Sequence, residues 1–106
     1  MKKLAMIAAA AASLVLASGA QAADAEKAKA LAQSKNCMAC HAIDKKLVGP
    51  AYTEVAKKYK GNKEAEAMLI KKVINGGGGV WGTIPMPPNP VKEDEAKLLV
   101  DWILAL

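Results

Sequence analysis

The sequence predicts an all-α domain of about four short helices, organised around one short turn. Apolar residues recur at helical spacing in four segments, and no segment shows the alternation of apolar and polar residues that is typical of a strand. Cys37 and Cys40 are the only two cysteines, and His41, the only histidine, follows them directly. A chain of 106 residues has room for one domain. A domain this small often needs a covalent or metal staple.

The amino-terminal stretch has the order of a secretory signal peptide. Two lysines precede an apolar run over residues 4–16, and a small-x-small cleavage sequence ends at Ala22. The run is too short to span a bilayer comfortably, which disfavours a membrane anchor. We therefore expect residues 1–22 to be a signal peptide, cleaved after Ala22 or Ala23, and residues 23–106 to form a single domain. Loss of the two lysines lowers the formal charge from +5 to +3.

Two of the predicted helices lie on either side of the cysteines. The first covers residues 24–34, with Asp24 as its cap and an apolar stripe at helical spacing. Residues 47–50 are expected to be extended, because Pro50 disfavours helix at the residue before it. Pro50 can then open a short helix over residues 51–59.

Two more helices are predicted in the second half of the chain. The first covers residues 63–75, where Met68 is interpreted as a core residue and Gly76 is placed to end the helix in the left-handed conformation. The glycine run 76–79 could cradle a phosphate. No strand precedes it and no Lys-Ser/Thr follows it, so a loop lying close to something flat is the better interpretation. Residues 81–90 are proline-rich and not helical, and residues 91–104 form the last helix.

The Cys37-Met38-Ala39-Cys40-His41 run is typical of covalent haem attachment. Two thiols at this spacing can form thioethers with the two vinyl groups of a porphyrin, and neutral imidazole is a good ligand for haem iron. A redox-active disulfide would call for a βαβ pattern, and none is found. A closed zinc site needs four ligands, but only three Cys and His residues are available. A structural disulfide would leave His41 unexplained.

A haem iron held by one histidine has either a second protein ligand or an open position. Met86 is the best candidate for the second ligand. It stands between Pro85 and Pro87, and prolines stiffen a loop, so that little ordering entropy is lost when its thioether meets a metal. Met38 lies inside the attachment turn and cannot reach the other face of the ring. The remaining possibilities are that Met86 is only a loop hydrophobe or that the sixth position is open.

Taken together, these stretches resemble the bacterial class I c-type cytochromes, in particular the short cytochromes of the c-551 (c8) type. The similarity extends over almost the whole chain after residue 22. The matching stretches are Cys-Met-Ala-Cys-His-Ala-Ile-Asp, Val-Gly-Pro-Ala-Tyr, Gly-Val-Trp-Gly, Ile-Pro-Met-Pro-Pro-Asn and the terminal helix around Trp102. The resemblance implies a small class I cytochrome c fold, with about four short helices wrapped around one covalent haem c.

The resemblance also implies roles for individual residues. Cys37 and Cys40 would carry the thioethers, and His41 and Met86 would be the axial ligands of the iron. The other three residues would be neighbours of these groups: the Pro50 carbonyl would accept the Nδ1–H of His41, the Asn89 amide would hydrogen-bond the Met86 sulfur, and the Trp81 indole would meet a haem propionate. The sequence departs from the family pattern at Lys92, where a serine often caps the last helix, so that helix could instead begin at Asn89-Pro90. Ala32 and Met38 also depart from it, and their volumes compensate.

The function expected from these features is single-electron transfer in the periplasm, without turnover of a substrate. The expected partners are larger redox proteins with acidic docking surfaces, namely a quinol-linked donor and a terminal nitrite reductase, oxidase or peroxidase. We expect a monomer with no nucleic-acid partner and no membrane anchor after processing. Docking is expected at an apolar patch of Met38, Ala39, Ile43, Pro87 and Pro88, rimmed by Lys35, Lys45 and Lys46. The competing classes are an enzyme or gas sensor with an open haem position and a thiol oxidoreductase.

Overall fold

The described chain consists of four α-helices, with the attachment turn packed against their core. The structure is a computed structural model, and it describes residues 23–106. The predicted signal peptide, residues 1–22, lies outside the described residues. Four α-helices follow one another: α1 over residues 23–34, α2 over Tyr52–Lys58, α3 over Ala65–Asn75 and α4 over Glu93–Leu104. Within residues 23–106 there is no strand, only an isolated antiparallel bridge between Gly77 and Met86. The all-α prediction is therefore confirmed.

The core is formed where α1, α2 and α3 meet the apolar side of α4. Fully buried alanines occur on three of these helices (Ala28 and Ala32 on α1, Ala65 on α3 and Ala96 on α4). Small side chains at these positions permit close approach of neighbouring backbones. Larger side chains, Leu99 and Trp102 of α4 among them, fill the same buried cluster. Removal of the Leu99 side chain to alanine would cost roughly 2–5 kcal/mol of stability, as for other buried leucines.

Two helix starts differ from the prediction because local hydrogen bonds decide them. The helix predicted from residue 63 begins at Ala65, since the Asn62 Oδ1 accepts the Glu64 N–H at 3.0 Å in a turn just before it. The last helix begins at Glu93, two residues after the predicted start at residue 91, and not at Asn89-Pro90. There the Glu95 carboxylate accepts the Lys92 N–H at 2.9 Å, which satisfies one of the backbone groups left unpaired at the helix start.

The end of α3 agrees with the prediction in position but not in backbone conformation. Gly76 follows the last helical residue, and its N–H is bonded to the Lys72 carbonyl at 2.8 Å. Its φ is +77° and its ψ is 179°, so the backbone is more extended than the left-handed cap that was expected. This region of φ and ψ is open essentially to glycine alone.

Met68 is exposed, so its interpretation as a core residue is wrong. Ala65 is fully buried and Leu69 is half-buried, whereas the Met68 side chain is 40% exposed. Each residue of a helix is rotated by about 100° from the previous one. The buried side of α3 is centred between Leu69 and Val73, and Met68 lies beyond its edge. No helix among the described residues is both long and apolar enough to cross a membrane.

Candidate functional site

A cavity of about 480 Å³ opens between the attachment turn and the proline-rich loop. Cys37, Cys40 and His41 line it, and so does Met86. Its floor is apolar and comes from α3 and α4, with Leu69, Val73, Leu99, Val100 and Ile103. Its volume lies within the range of small-molecule and cofactor sites. The fold therefore brings the four predicted donor residues to one cavity.

The attachment turn is short because Asn36 reverses the chain just before it. Asn36 is the only non-glycine residue with a positive φ (62°) in the described part of the chain, and asparagine tolerates this region better than most residues. Cys37–Ala39 then form one turn of 3₁₀-helix, and the Cys40 and His41 amides both donate to the Cys37 carbonyl. Both thiols are half-buried and neither is in a disulfide. Burial raises the pKa of the Cys37 thiol, so it is largely protonated near neutral pH.

His41 is held by a short segment that follows it in the sequence. Its Nδ1 lies 2.8 Å from the Pro50 carbonyl oxygen. Because a carbonyl can only accept, Nδ1 carries a proton, and in the neutral imidazole Nε2 then has the lone pair that a metal ligand needs. The Gly49 N–H donates to the Cys40 carbonyl at 2.7 Å, which ties this segment to the attachment turn.

Met86 is positioned by a second set of backbone contacts. Gly77 and Met86 exchange both backbone hydrogen bonds, at 3.0 and 2.7 Å. Gly76 approaches the same loop so closely that a Cβ atom on it would lie 2.6 Å from the Met86 carbonyl oxygen and 2.9 Å from the Pro88 nitrogen. The glycine run therefore serves close packing of the methionine loop.

The Asn89 side chain braces this loop in a way that differs from the expectation. Its amide nitrogen donates to the Val73 carbonyl at 2.9 Å and to the Pro87 carbonyl at 3.2 Å. An amide NH₂ group has two protons, so both are used on backbone oxygens. The expected contact with the Met86 sulfur is not among the hydrogen bonds of the described residues. Asn89 instead links the loop to the end of α3.

Trp81 lies at the cavity and is 39% exposed. The Lys58 ammonium is 5.7 Å from the centre of its ring, within range of a cation–π contact with α2. Lys46 and Lys72 also line the cavity, so cationic groups are present for a ligand that carries carboxylates.

The apolar side chains at the cavity mouth are only partly those predicted. Met38 and Ile43 are half-buried against the core, so neither is a freely exposed member of the patch. The most exposed apolar side chains of the cavity lining are instead Ile84 (68%), Val48 (54%), Val80 (46%) and Leu47 (42%). Sequence reasoning noted the extended stretch that holds Leu47 and Val48 but missed this role. The signal was two adjacent apolar residues in a loop, a place where neither has a helix face to pack.

These donors fit a covalently attached porphyrin better than they fit a zinc site or the redox-active disulfide of a thiol oxidoreductase. The described residues contain no group of three Cys, His, Asp or Glu residues arranged to hold a metal ion, which disfavours zinc. They contain no strand for the βαβ unit of a thiol oxidoreductase. Two thiols, an imidazole with its lone pair available and a thioether border one largely apolar cavity. A haem protein is the class that this combination defines.

Comparison with known proteins identifies the family. The Cytochrome c family model matches residues 25–106. A cytochrome c-551 from Pseudomonas aeruginosa is 50% identical over 105 residues, covering 99% of this chain and 98% of its own length. A cytochrome c-552 from Hydrogenobacter thermophilus is 55% identical over 76 residues, covering 72% of this chain and 78% of its own. The crystal structure of wild-type Nitrosomonas europaea cytochrome c552 superposes with a TM-score of 0.71 at 48% identity, covering 74% of this chain and 98% of its own.

The chain belongs to the cytochrome c family. Its cofactor is covalently attached haem c, and it is an electron-transfer protein. The predicted class I cytochrome c fold is likewise confirmed. An electron carrier requires redox partners, a donor and an acceptor.

Proposed function

We propose that this protein is a soluble periplasmic electron carrier in which His41 and Met86 bind the haem iron from its two faces, and that no substrate is turned over. The observation that carries the proposal is that His41, with its Nδ1 bonded to Pro50, and Met86 line the same cavity. The signal peptide expected at residues 1–22 supports the location. Haem supplies a one-electron iron couple, and Met/His ligation raises its reduction potential.

The residues around the donors support electron transfer by limiting rearrangement. The Pro50 carbonyl fixes the tautomer of His41 and restrains its ring, as such partners do for metal-bound histidines. The paired backbone of Gly77 and Met86 and the bonds from Asn89 to the end of α3 hold the methionine loop. The apolar floor excludes water and disfavours the more highly charged oxidised site. Trp81, at the open side of the cavity, is the proposed donor to a propionate.

Partners are proposed to dock where the cavity opens to solvent. Leu47, Val48 and Ile84 form an exposed apolar rim there, and Lys45 and Lys46 are exposed beside it. Transient redox complexes bury small interfaces, and charge mainly raises the rate of encounter. The proposed partners are therefore redox proteins with acidic surfaces, a quinol-linked donor and a terminal reductase, oxidase or peroxidase. The protein meets them as a monomer.

The proposal is tested by the optical spectrum of the purified holoprotein and of a Met86→Ala variant. The wild type should be low-spin in both oxidation states, with the weak sulfur-to-iron charge-transfer band of the oxidised form. Met86→Ala should lose that band, lower the reduction potential and bind carbon monoxide in the reduced state. Met68→Leu is the matched control, because this methionine is exposed and is not part of the cavity lining. A Met86→Ala protein with an unchanged spectrum and potential would overturn the ligand assignment, and a high-spin wild type would favour an enzyme or gas sensor.

A further inference from the structure

The His41 ring is in contact with more than the Pro50 carbonyl. A Cβ atom on Gly49 would lie 2.6 Å from His41 Cε1, 2.9 Å from Nδ1 and 3.1 Å from Nε2. The ring thus lies against the Gly49 backbone at a distance that no other residue type permits. The φ of Gly49 is not in the left-handed region, so the requirement for glycine here comes from the imidazole and not from the backbone conformation.

Tyr52 packs against the same imidazole. The two ring centres are 4.9 Å apart and the planes differ by 23°, which is a stacked arrangement. The tyrosine is itself well packed, because only 4% of it is exposed and its ring meets that of Trp102 in an edge-to-face arrangement at 5.6 Å and 76°. Trp102 belongs to α4, so the stack continues from the attachment turn through α2 into the core.

The backbone keeps Tyr52 in register with His41. The Tyr52 N–H donates to the Ala42 carbonyl at 3.0 Å, and the Thr53 N–H donates to the Ile43 carbonyl at 2.9 Å. The start of α2 is therefore bonded directly to the two residues that follow the histidine. The Tyr52 hydroxyl lies beside the Cys37 side chain. One residue thus touches both the imidazole and an attachment cysteine.

We propose that Tyr52 is a positioning residue whose ring fixes the rotation of the His41 imidazole, with Gly49 and Pro50 restraining the same ring. The inference rests on the proposed function, since it concerns His41 as the axial ligand. The orientation of an axial imidazole sets its overlap with the iron orbitals, so a fixed ring gives one electronic structure in place of a distribution. A ring that does not turn between oxidation states also lowers the reorganisation that accompanies electron transfer.

The competing explanation is that Tyr52 only fills the core, and Tyr59 provides the matched control. Tyr59 is a tyrosine of the same buried cluster, placed directly after α2 and 9% exposed. It makes no aromatic contact with His41 among the ring pairs of the described residues. Tyr59→Leu and Tyr52→Leu remove the same atoms from the same cluster, and only Tyr52→Leu removes the stack.

The experiment measures the haem methyl proton shifts of the oxidised holoproteins by NMR, because the spread and order of these shifts depend on the orientation of the axial ligand planes. Tyr52→Leu should change the spread, and Tyr59→Leu should leave it as in the wild type. Tyr52→Phe keeps the ring and lacks only the hydroxyl, so it should restore the wild-type pattern. The reduction potentials, measured on the same samples, should follow the same order.

Two results would overturn the proposal. One is a Tyr52→Leu pattern that equals the wild type or matches that of Tyr59→Leu, which would make the role of Tyr52 purely structural. The other is a Tyr52→Phe pattern that departs from the wild type, which would assign the effect to the hydroxyl near Cys37. The Tyr52→Phe variant keeps the packing of the ring, so it can contradict the proposed role of the ring even where the leucine variant does not assemble. Failure of the proposed function is distinguishable, because the wild type itself would then lack a low-spin spectrum.

Discussion

Gly76→Ala tests how the backbone at the end of α3 controls the methionine loop. With φ at +77° and ψ at 179°, an alanine here would cost roughly 1–3 kcal/mol in backbone strain alone. Its Cβ would also meet the Met86 carbonyl oxygen at 2.6 Å, and because this oxygen is a backbone atom and the Cβ has no freedom to rotate away, the loop must shift. We expect the strain of this contact to be relieved when Met86, the proposed ligand, leaves the iron.

The release of this strain sets the expected change in affinity for a ligand that competes with Met86. If the contact of the Cβ with the Met86 carbonyl adds about 1–3 kcal/mol of strain that is released on dissociation of Met86, an external ligand that competes with the methionine should bind about 5–150-fold more tightly. The assay is titration of the oxidised holoprotein with imidazole, monitored through the sulfur-to-iron charge-transfer band. Denaturant unfolding of the same samples measures the total cost in stability.

Gly61→Ala is the control for strain without contact. Gly61 has φ +78°, nearly equal to that of Gly76, but nothing lies within 4 Å of the position of its Cβ. This variant should lose stability with an imidazole affinity equal to that of the wild type. Equal imidazole affinities for Gly76→Ala and Gly61→Ala would refute the reasoning, because they would mean that the packing of Gly76 on Met86 does not restrain the ligand.

Three further predictions concern docking, acid stability and processing. The double substitution of Lys45 and Lys46 to Glu should slow electron transfer with an acidic redox partner and flatten the salt dependence of the rate. A rate that changes neither with salt nor with the double substitution would mean that the apolar rim alone determines docking. Partial burial raises the pKa of Asp101, but its interactions with Glu66 and Lys97 outweigh this effect and hold the pKa below its usual value. The ionised Asp101 therefore stabilises the fold above the unfolded pKa of about 4, and this stabilisation is lost as the pH falls through the folded pKa. Lys97→Gln should reduce this acid-dependent loss, measured as the shift in denaturation midpoint with pH, and an unchanged midpoint profile would count against it. The intact mass of periplasmic protein should equal the chain without residues 1–22 (or without Ala23 in addition) plus one haem, and a mass that includes the leader would contradict the predicted cleavage.

The parts of the site that were predictable from the sequence are those with short sequence separation. Cys37, Cys40 and His41 are fixed by one turn, and the chemistry of each residue type limits what that turn can hold. The helices were predictable because their apolar spacing reflects burial on one side. Met86 could be predicted as a residue of this site because prolines flank it and no other methionine was a better candidate for the second ligand.

The features that could not be predicted depend on how a helix is rotated about its axis and on contacts between segments that are distant in the sequence. Helical spacing did not show on which side of the α3 stripe Met68 would lie. The Asn89 amide bonds a carbonyl 16 residues earlier in the chain, and only the folded loop brings the two together. Tyr52 belongs to the Val-Gly-Pro-Ala-Tyr stretch and so lies close to Pro50 in the sequence. Its stacking on His41, however, depends on where α2 starts.

The bridge between Gly77 and Met86 has a consequence for how the chain can vary in length. Because the two residues exchange both backbone bonds, the segment 78–85 is a closed loop whose ends are fixed independently of what lies between them. Closing a longer loop costs little, about 0.6 kcal/mol for each doubling of its length. Insertions within this segment should therefore leave the methionine in place, so a peptide tag could be inserted there, beside the haem.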